Sequence, residues 1–384
     1  AHHDGLTLLP VRDINIEELL ARDPIELDRG AIAKLIRGRR VLITGAGGSI
    51  GAELCRQVAA FDCAHLTLLD IAETALFEID REMRETFPHI PRRAVLCDVR
   101  QAARLTAAFK EEKPDLVFHA AALKHVSMVE HHPCEGVLTN VIGTWNVTEA
   151  AKACGAGQMV LISTDKAVDP TNVMGATKRM AEAVIQAQQS TGKGTRFSAV
   201  RFGNVLGSAG SVVPIFKSQI ERGGPVTITH PDMERFFMTI PEAAQLVLHA
   251  TATSAEGERR DARLFLLEMG EPVKIMDLAR QMIALSGRTP GRDIDVEITG
   301  LRPGEKLTEA LLDETESSIP CAPKVLEVIT NSALRVTPGH LTELESLAVK
   351  GDVEGVREAL FRLVAQVRGE KPGSAPNLRV IAGG

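Results

Sequence analysis

The stretch that most narrows the possible folds is Gly45-Ala46-Gly47-Gly48-Ser49-Ile50-Gly51. It follows an apolar run, Arg40-Val41-Leu42-Ile43-Thr44, and precedes a helical pattern from Ala52 to Ala60. A strand that passes through glycines straight into a helix leaves free N–H groups at the helix start, a cradle for a pyrophosphate. Gly45, Gly48 and Gly51, with Ser49 and Ile50 between the last two, have a spacing at which the missing side chains let the backbone approach such a ligand. A second apolar run, Leu66-Thr67-Leu68-Leu69, ends in Asp70, nineteen residues past Gly51. A carboxylate there accepts hydrogen bonds from the adenosine ribose and repels a 2′-phosphate, and Ile71-Ala72-Glu73 supplies no basic residue. The expected cofactor is therefore NAD rather than NADP.

The alternation of strand and helix continues. Ala94-Val95-Leu96-Cys97 is a third strand, ending at Asp98-Val99; Asp98 also suits a cap for the helix that starts near Ala102. Asp115 to Ala122 reads as a fourth strand whose end, Ala120-Ala121-Ala122, is small enough for a ribose and nicotinamide to lie against the backbone. His119, inside that strand, reads as a satisfied core histidine. One long helix is expected over Pro133 to Cys154, with Val137, Val141, Trp145 and Thr148 on its packing face. Phe197 to Arg201 is a sixth strand, and six rounds of alternation point to an α/β protein with a doubly wound parallel sheet.

The fifth strand, Val160-Leu161-Ile162, carries the chemistry. It breaks into Ser163-Thr164-Asp165-Lys166-Ala167, turns at Asp169-Pro170-Thr171-Asn172, and restarts as a helix from Met174 to about Ser190. The carboxyl edge of a parallel sheet is where open α/β proteins place ligands. A hydroxyl, an acid and an amine side by side there can hold a substrate hydroxyl, give a proton and take one.

Met174-x-x-x-Lys178 resembles the Tyr-x-x-x-Lys motif of short-chain dehydrogenases and reductases, with Met174 where the tyrosine belongs. A thioether cannot titrate, and the whole chain contains no tyrosine, so proton transfer falls to Asp165 and Lys166 or the site is silent. Ser-Thr-Asp-Lys followed by Pro-Thr-Asn-Val-Met-Gly-Ala-Thr-Lys is similar to the long, membrane-anchored, configuration-retaining UDP-N-acetylglucosamine 4,6-dehydratases of the extended family. That resemblance implies a Rossmann-type sheet with a smaller C-terminal substrate-binding region, a catalytic set of Thr164, Asp165, Lys166, Met174 and Lys178, and Asp98 on the adenine amino group. Met174 then contributes shape. It also implies that Asn204 and the backbone near Ser211 and Val212 touch the nucleotide-sugar diphosphate. Arg302, in Leu301-Arg302-Pro303-Gly304-Glu305-Lys306, would clamp that diphosphate. Arg235 suits a second clamp, since guanidinium forks match phosphate oxygens, or a salt bridge to a neighbour such as Asp232. Lys124 reads as a substrate contact or as loop polarity. The implied partners are UDP-N-acetylglucosamine and further copies of the chain. Two rival readings remain, a nucleotide-sugar 4-epimerase and a catalytically silent NAD-binding protein.

Composition excludes other classes. A net charge of −6 over 384 residues argues against nucleic-acid binding, and six scattered cysteines without ligand spacing argue for a reduced, metal-free protein in the cytoplasm. No apolar run reaches the roughly 20 residues that span a bilayer, so no membrane contact is expected from this chain. Residues 1–38 read as a connector or a docked extension, with Ala1-His2-His3 as a tag scar and a helical pattern over Ile14 to Leu20. Residues 39–203 form the expected NAD-binding domain. Residues 204–330 form the substrate region, with 234–250 returning to the sheet, and 331–384 contain a helix from Leu341 to Val367 and a tail.

Overall fold

The computed structural model describes residues 29–188, 194–255, 261–330 and 335–369. Residues 1–3, the pattern over Ile14 to Leu20 and the residues beyond 369 lie outside the described residues. Among the described residues no helix is long and apolar enough to cross a membrane.

A nine-stranded sheet carries the fold. Its strands are β1 (Arg40–Thr44), β2 (His65–Asp70), β3 (Arg92–Leu96), β4 (Leu116–His119), β5 (Gln158–Ile162), β6 (Arg196–Arg201), β7 (Arg263–Leu267), β8 (Glu316–Ala322) and β9 (Val325–Thr330), in the spatial order 8-9-7-6-5-4-1-2-3. β1 to β7 are parallel throughout. The apolar runs of β1, β4 and β5 are buried along nearly their whole length because helices cover both faces. α1 (Arg29–Ile36), α2 (Ser49–Ala60) and, later in the chain, Ile240–Ala255 supply one face through Ile32, Val58 and Leu246. α3 (Glu73–Thr86) adds Leu76 and Ile79 to the same core. α4 (Ala102–Glu112), α5 (Gly143–Cys154) and α6 (Val173–Gln186) supply the other through Phe109, Val147 and Ala181. Strand order reverses between β1 and β4, so the crevice for a ligand opens at the carboxyl ends of those two strands.

After β6 the chain builds a smaller region with its own core of Val213, Phe216, Ile220, Leu278 and Met282. Its helices are α7 (Val212–Glu221) and α9 (Ile275–Leu285), and between them α8 (Ile240–Ala255) packs against the sheet.

Several boundaries differ from expectation. The fourth strand ends at His119, so Ala120 to Ala122 are an irregular rim rather than strand. The helix over Pro133 to Cys154 contains a π-helical stretch, Val137–Ile142, and the helix from Val173 stops at Gln186. The single helix expected from Leu341 to Val367 is two, α10 (Pro338–Val349) and α11 (Val353–Val367), because the turn at Lys350-Gly351-Asp352 lets the Asp352 carboxylate accept from the Gly355 N–H at 3.0 Å. β9 is antiparallel to β7, and β8 pairs antiparallel with β9. β8, Glu-Ser-Ser-Ile-Pro-Cys-Ala, has no apolar run to announce a strand.

Behind the carboxyl ends of β5 and β6 lies a buried ionic cluster. Arg201 donates from Nε and Nη2 to both oxygens of Glu182 (2.8 and 2.7 Å) and from Nη1 and Nη2 to both oxygens of Glu316 (2.7 and 2.9 Å). Arg179 Nη1 donates to the same two carboxylates at 3.3 and 3.1 Å. Burial alone would raise the Glu182 carboxyl, yet Arg201 and Arg179 hold it below the ordinary carboxylate range. Arg201→Met would strand two buried carboxylates, and removal of one partner from such a cluster costs about 3–5 kcal/mol. Urea unfolding should show a loss of that order; an unchanged midpoint would mean the cluster contributes nothing to stability.

Candidate active site

The crevice has two lobes that share Gly45, Gly48, Ala120, Ala122, Leu123 and Lys124, with volumes of about 700 and 510 Å³. Gly45 is where β1 turns away from β4; its φ is +66°, and a Cβ there would sit 2.6 Å from the Ala121 nitrogen. In the larger lobe Asp70 accepts from the N–H groups of Gly47 and Ala72, one per carboxylate oxygen and both at 2.9 Å. A carboxylate has about four acceptor sites, so half of its capacity remains for a ribose. Asp98 and Val99 line the same lobe. Asp98 does not cap the following helix, whose N-cap residue Gln101 makes no side-chain bond. It binds Arg100 instead, through the backbone N–H (2.9 Å) and the guanidinium (2.8 Å to Nε), and Arg100 also reaches Glu135 at 2.6 Å. Arg100 is therefore a basic residue in this lobe that the sequence pattern did not single out, and its charge is committed to two acids.

His119, the last residue of β4, is buried and lines neither lobe. Thr144 donates its hydroxyl to the Asn140 carbonyl (2.7 Å), so it can only accept from His119 Nε2 (3.1 Å). Nδ1 is then the acceptor for the Thr44 hydroxyl at 2.7 Å. Burial, helped by the Lys178 charge, pushes this imidazole down to about 3, so it is a neutral core residue as the sequence suggested.

The smaller lobe gathers Thr164, Lys166, Met174, Lys178, Asn204 and Ser211 with Ser49, Ile50 and Gly51. β5 ends and a single 3₁₀ turn, Asp165–Ala167, swings the polar residues into place. Asp165 Oδ1 accepts from the Thr164 hydroxyl (2.9 Å) and from Lys166 Nζ (3.0 Å), while Lys166 also donates to Asn204 Oδ1 (3.1 Å). Asp165 is fully buried, and its Oδ2 has no hydrogen-bond partner among the described residues. Met174 is 2% exposed and closes the apolar side. One turn further along α6, Lys178 donates to the Ile162 carbonyl at 2.7 Å. Burial lowers this amine to about 8, against the opposing pull of the Glu182 carboxylate. Ser163 donates to Glu182 at 2.6 Å, which ties the strand end to the ionic cluster.

Lys124 stands at the junction of the lobes and donates to the Ala209 carbonyl at 2.9 Å; burial lowers its amine too. Val212 begins α7 beside Ser211 and is not among the lining residues. Arg235 and Arg302 also stand apart from both lobes. Arg235 has its fork filled by the carbonyls of Glu234, Lys306 and Leu307 (2.7, 2.8 and 2.9 Å) and is not paired with Asp232; Arg302 is exposed.

The Arg-Pro-Gly-Glu-Lys loop instead braces the catalytic loop. Lys306 donates to the carbonyls of Val168 (3.2 Å) and Asp169, and the Gly304 carbonyl accepts from Thr171 (3.2 Å) and Asn172 (3.0 Å). Gly304 has φ +73°, and a Cβ on it would lie 2.6 Å from that of Asn172. Glu309, buried beyond this loop, is a further residue the sequence reading missed. Burial raises its carboxyl, the Lys166 charge opposes that, and the Asp165 charge adds to it. Nothing in its immediate sequence marks it.

Fold and crevice together make this a Rossmann-type α/β protein, with one lobe along the glycine turn and Asp70 and an adjoining lobe lined by Thr164, Lys166, Met174 and Lys178. The chain belongs to the family described as "Polysaccharide biosynthesis protein", whose model matches residues 41–328. It is 50% identical over 307 residues to the capsular polysaccharide biosynthesis protein CapD of Staphylococcus aureus, covering 80% of this chain and 50% of that protein. The chain thus spans about half the length of that relative. It is 32% identical over 289 residues to a UDP-N-acetylglucosamine 4,6-dehydratase (inverting) of Campylobacter jejuni, 74% of this chain and 80% of that one. It is 33% identical over 286 residues to a UDP-glucose 4-epimerase of Rickettsia bellii, 72% of this chain and 79% of that one.

Lys178 carries a testable consequence. Its amine carries a charge and a full set of donors below about pH 8 and loses the charge as pH rises through that value. Dinucleotide affinity measured by calorimetry should fall across this interval, and Lys178→Met should remove the step; a flat profile would show that the amine does not meet the cofactor.

Proposed function

We propose that the protein is a configuration-retaining nucleotide-sugar 4,6-dehydratase that converts UDP-N-acetylglucosamine to UDP-2-acetamido-2,6-dideoxy-hexos-4-ulose with NAD. The observation that carries this reading is the Asp165–Lys166 pair, 3.0 Å apart: Lys166 lines the same lobe as Thr164, Met174 and Lys178, and Asp165 lies fully buried directly behind it, bonded to both Lys166 and Thr164. A 4-epimerase needs oxidation at C4 but no acid and base at C5 and C6. A silent binding protein has no use for the pair at all.

The crevice fits a dinucleotide. The glycine turn and the amino end of α2 suit the pyrophosphate, Asp70 the adenosine ribose, Asp98 and Val99 the adenine, and Ala120 to Ala122 with Lys178 the nicotinamide end. When bound, NAD supplies a hydride acceptor for C4 and a donor for C6.

The protein's own groups do the rest. Thr164 holds the C4 hydroxyl, whose proton leaves to solvent as C4 is oxidised and is balanced when Asp165, left ionised by the departing water, takes one proton back from solvent; Met174 takes no part in proton transfer. One proton moved along the Lys166–Asp165 contact converts the ion pair into a neutral acid and a neutral amine, a form that a buried site tolerates. A C4 ketone acidifies the C5 hydrogen, which the Lys166 amine removes while Asp165 gives its proton to the departing C6 hydroxyl, releasing water. Asn204 keeps the amine aimed. A proton returned to C5 by the same group on the same face preserves configuration. Arg235, Arg302, Lys124 and the backbone at Ser211 and Val212 are assigned to the nucleotide diphosphate, which requires the loop at 302–307 to release the Arg235 fork.

Two experiments test this reading. NADP should bind at least about tenfold more weakly than NAD, roughly 1.4 kcal/mol, because Asp70 faces the 2′-phosphate and Arg100 is already paired; equal affinities by isothermal titration would contradict it. With substrate deuterated at C4, mass spectrometry should show loss of one water with the label at C6, and a solvent deuteron should enter at C5. Asp165→Asn and Lys166→Ala should each slow this by on the order of 100-fold with NAD binding intact. Label lost from C4 to solvent, or full activity in either variant, would rule the mechanism out.

A further inference from the structure

The C-terminal helix α11 lies beyond residues 41–328, the span matched by the family. It nonetheless covers the back of the catalytic helix. Leu360, Leu363, Val364 and Val367 share one apolar core with Val173, Met174, Met180 and Val184 of α6. Two arginines on α11 extend this contact to the catalytic loop. Arg357 donates to the Glu130 carboxylate at 2.8 Å and to the Glu130 carbonyl, and the other oxygen of that carboxylate accepts the N–H of Val173, the first residue of α6. Arg368 donates to the Asp169 carboxylate at 2.7 Å. The two arginines are eleven residues apart, about three helical turns, so they project from one face of α11.

Their targets bracket the turn that leads from the Asp165–Ala167 segment into α6. Asp169 follows the Asp165–Ala167 turn, and its φ of +43° is a conformation that a residue with a side chain keeps only when its surroundings enforce it. Lys306 holds its carbonyl and Arg368 its carboxylate. Val173 fixes where α6 begins, and hence where Met174 and Lys178 point. We propose that α11 is a brace for the active site, with Arg357 and the C-cap residue Arg368 as positioning residues that pin the two ends of the turn, residues 169–173, through which the Asp165–Ala167 segment runs into α6. Neither arginine lines the crevice. Both are partly exposed, at 23% and 19% of their side chains, so their replacement need not unfold the chain. The role of the loop in water loss rests on the dehydratase reading; its being pinned does not.

The test separates the two. In Arg357→Gln and Arg368→Gln, hydrogen exchange of the peptide over residues 165–175 should quicken by at least about fivefold with the rest of the sheet unchanged. Turnover of UDP-N-acetylglucosamine should fall by about tenfold while KM and NAD affinity stay within about twofold, as expected when reacting groups lose their alignment. Arg368→Lys, which keeps the charge, should recover most of the loss. Arg368→Gln combined with Asp169→Asn should be no worse than either alone, because both remove the same contact. Unchanged exchange in both arginine variants would overturn the brace, as would a melting temperature, KM and turnover that decline together. If the wild type releases no water from the sugar, the dehydratase reading fails and the exchange measurement still decides the brace.

Discussion

One guanidinium ties the structure together. Arg201 ends β6, Glu182 belongs to the catalytic helix, and Glu316 begins the antiparallel hairpin at the far edge of the sheet; the fork of Arg201 meets both carboxylates with paired bonds. Charges this deeply buried are tolerated only with their partners in place. The three elements are therefore fixed relative to one another, and the strand end that carries Thr164 to Lys166 inherits that fixity through Ser163. Apolar packing brings α6 near the sheet. The ionic cluster sets where along the sheet it stops.

From that anchoring follows the division of labour in the crevice. One wall is backbone, glycine turn and alanine rim, shaped for a flat, charged ligand approached closely. The other wall is side chains whose bonds to each other hold them ready. Asp165 serves as acceptor for both its neighbours, so its buried second oxygen is the point at which the ligand-free arrangement is incomplete. A substrate hydroxyl is a natural partner for it. His119 illustrates the opposite case: its hydrogen bonds close on threonines, burial keeps it neutral, and it contributes rigidity beneath the crevice rather than chemistry.

Residues whose role depends on near neighbours could be read from the sequence. The glycine turn, Asp70 at a strand end and the Thr164-Asp165-Lys166 run announce themselves within a few positions, because strand, turn and helix signals are local. Partnerships across the chain could not be read. Arg201 and Glu316 are 115 residues apart, and nothing near Glu316 in the polar β8 suggests a strand or a buried carboxylate. Arg235 shows the same limit from the other side. The sequence points its fork at a phosphate, but a guanidinium serves three carbonyls as well, and only the fold shows that the 306–307 carbonyls lie within reach. The turn between α10 and α11 was overlooked because the apolar rhythm of the two helices runs on across it.

The loop at 302–307 belongs to the smaller region, yet its bonds are made to the catalytic segment: Gly304 to Thr171 and Asn172, Lys306 to Val168 and Asp169. The same loop supplies the carbonyls that hold Arg235. Any ligand that draws Arg235 away pulls on a loop whose other side is attached to the acid and base. The loop thereby links the Arg235 fork to the 168–172 segment, so that a displacement at one is felt as tension at the other.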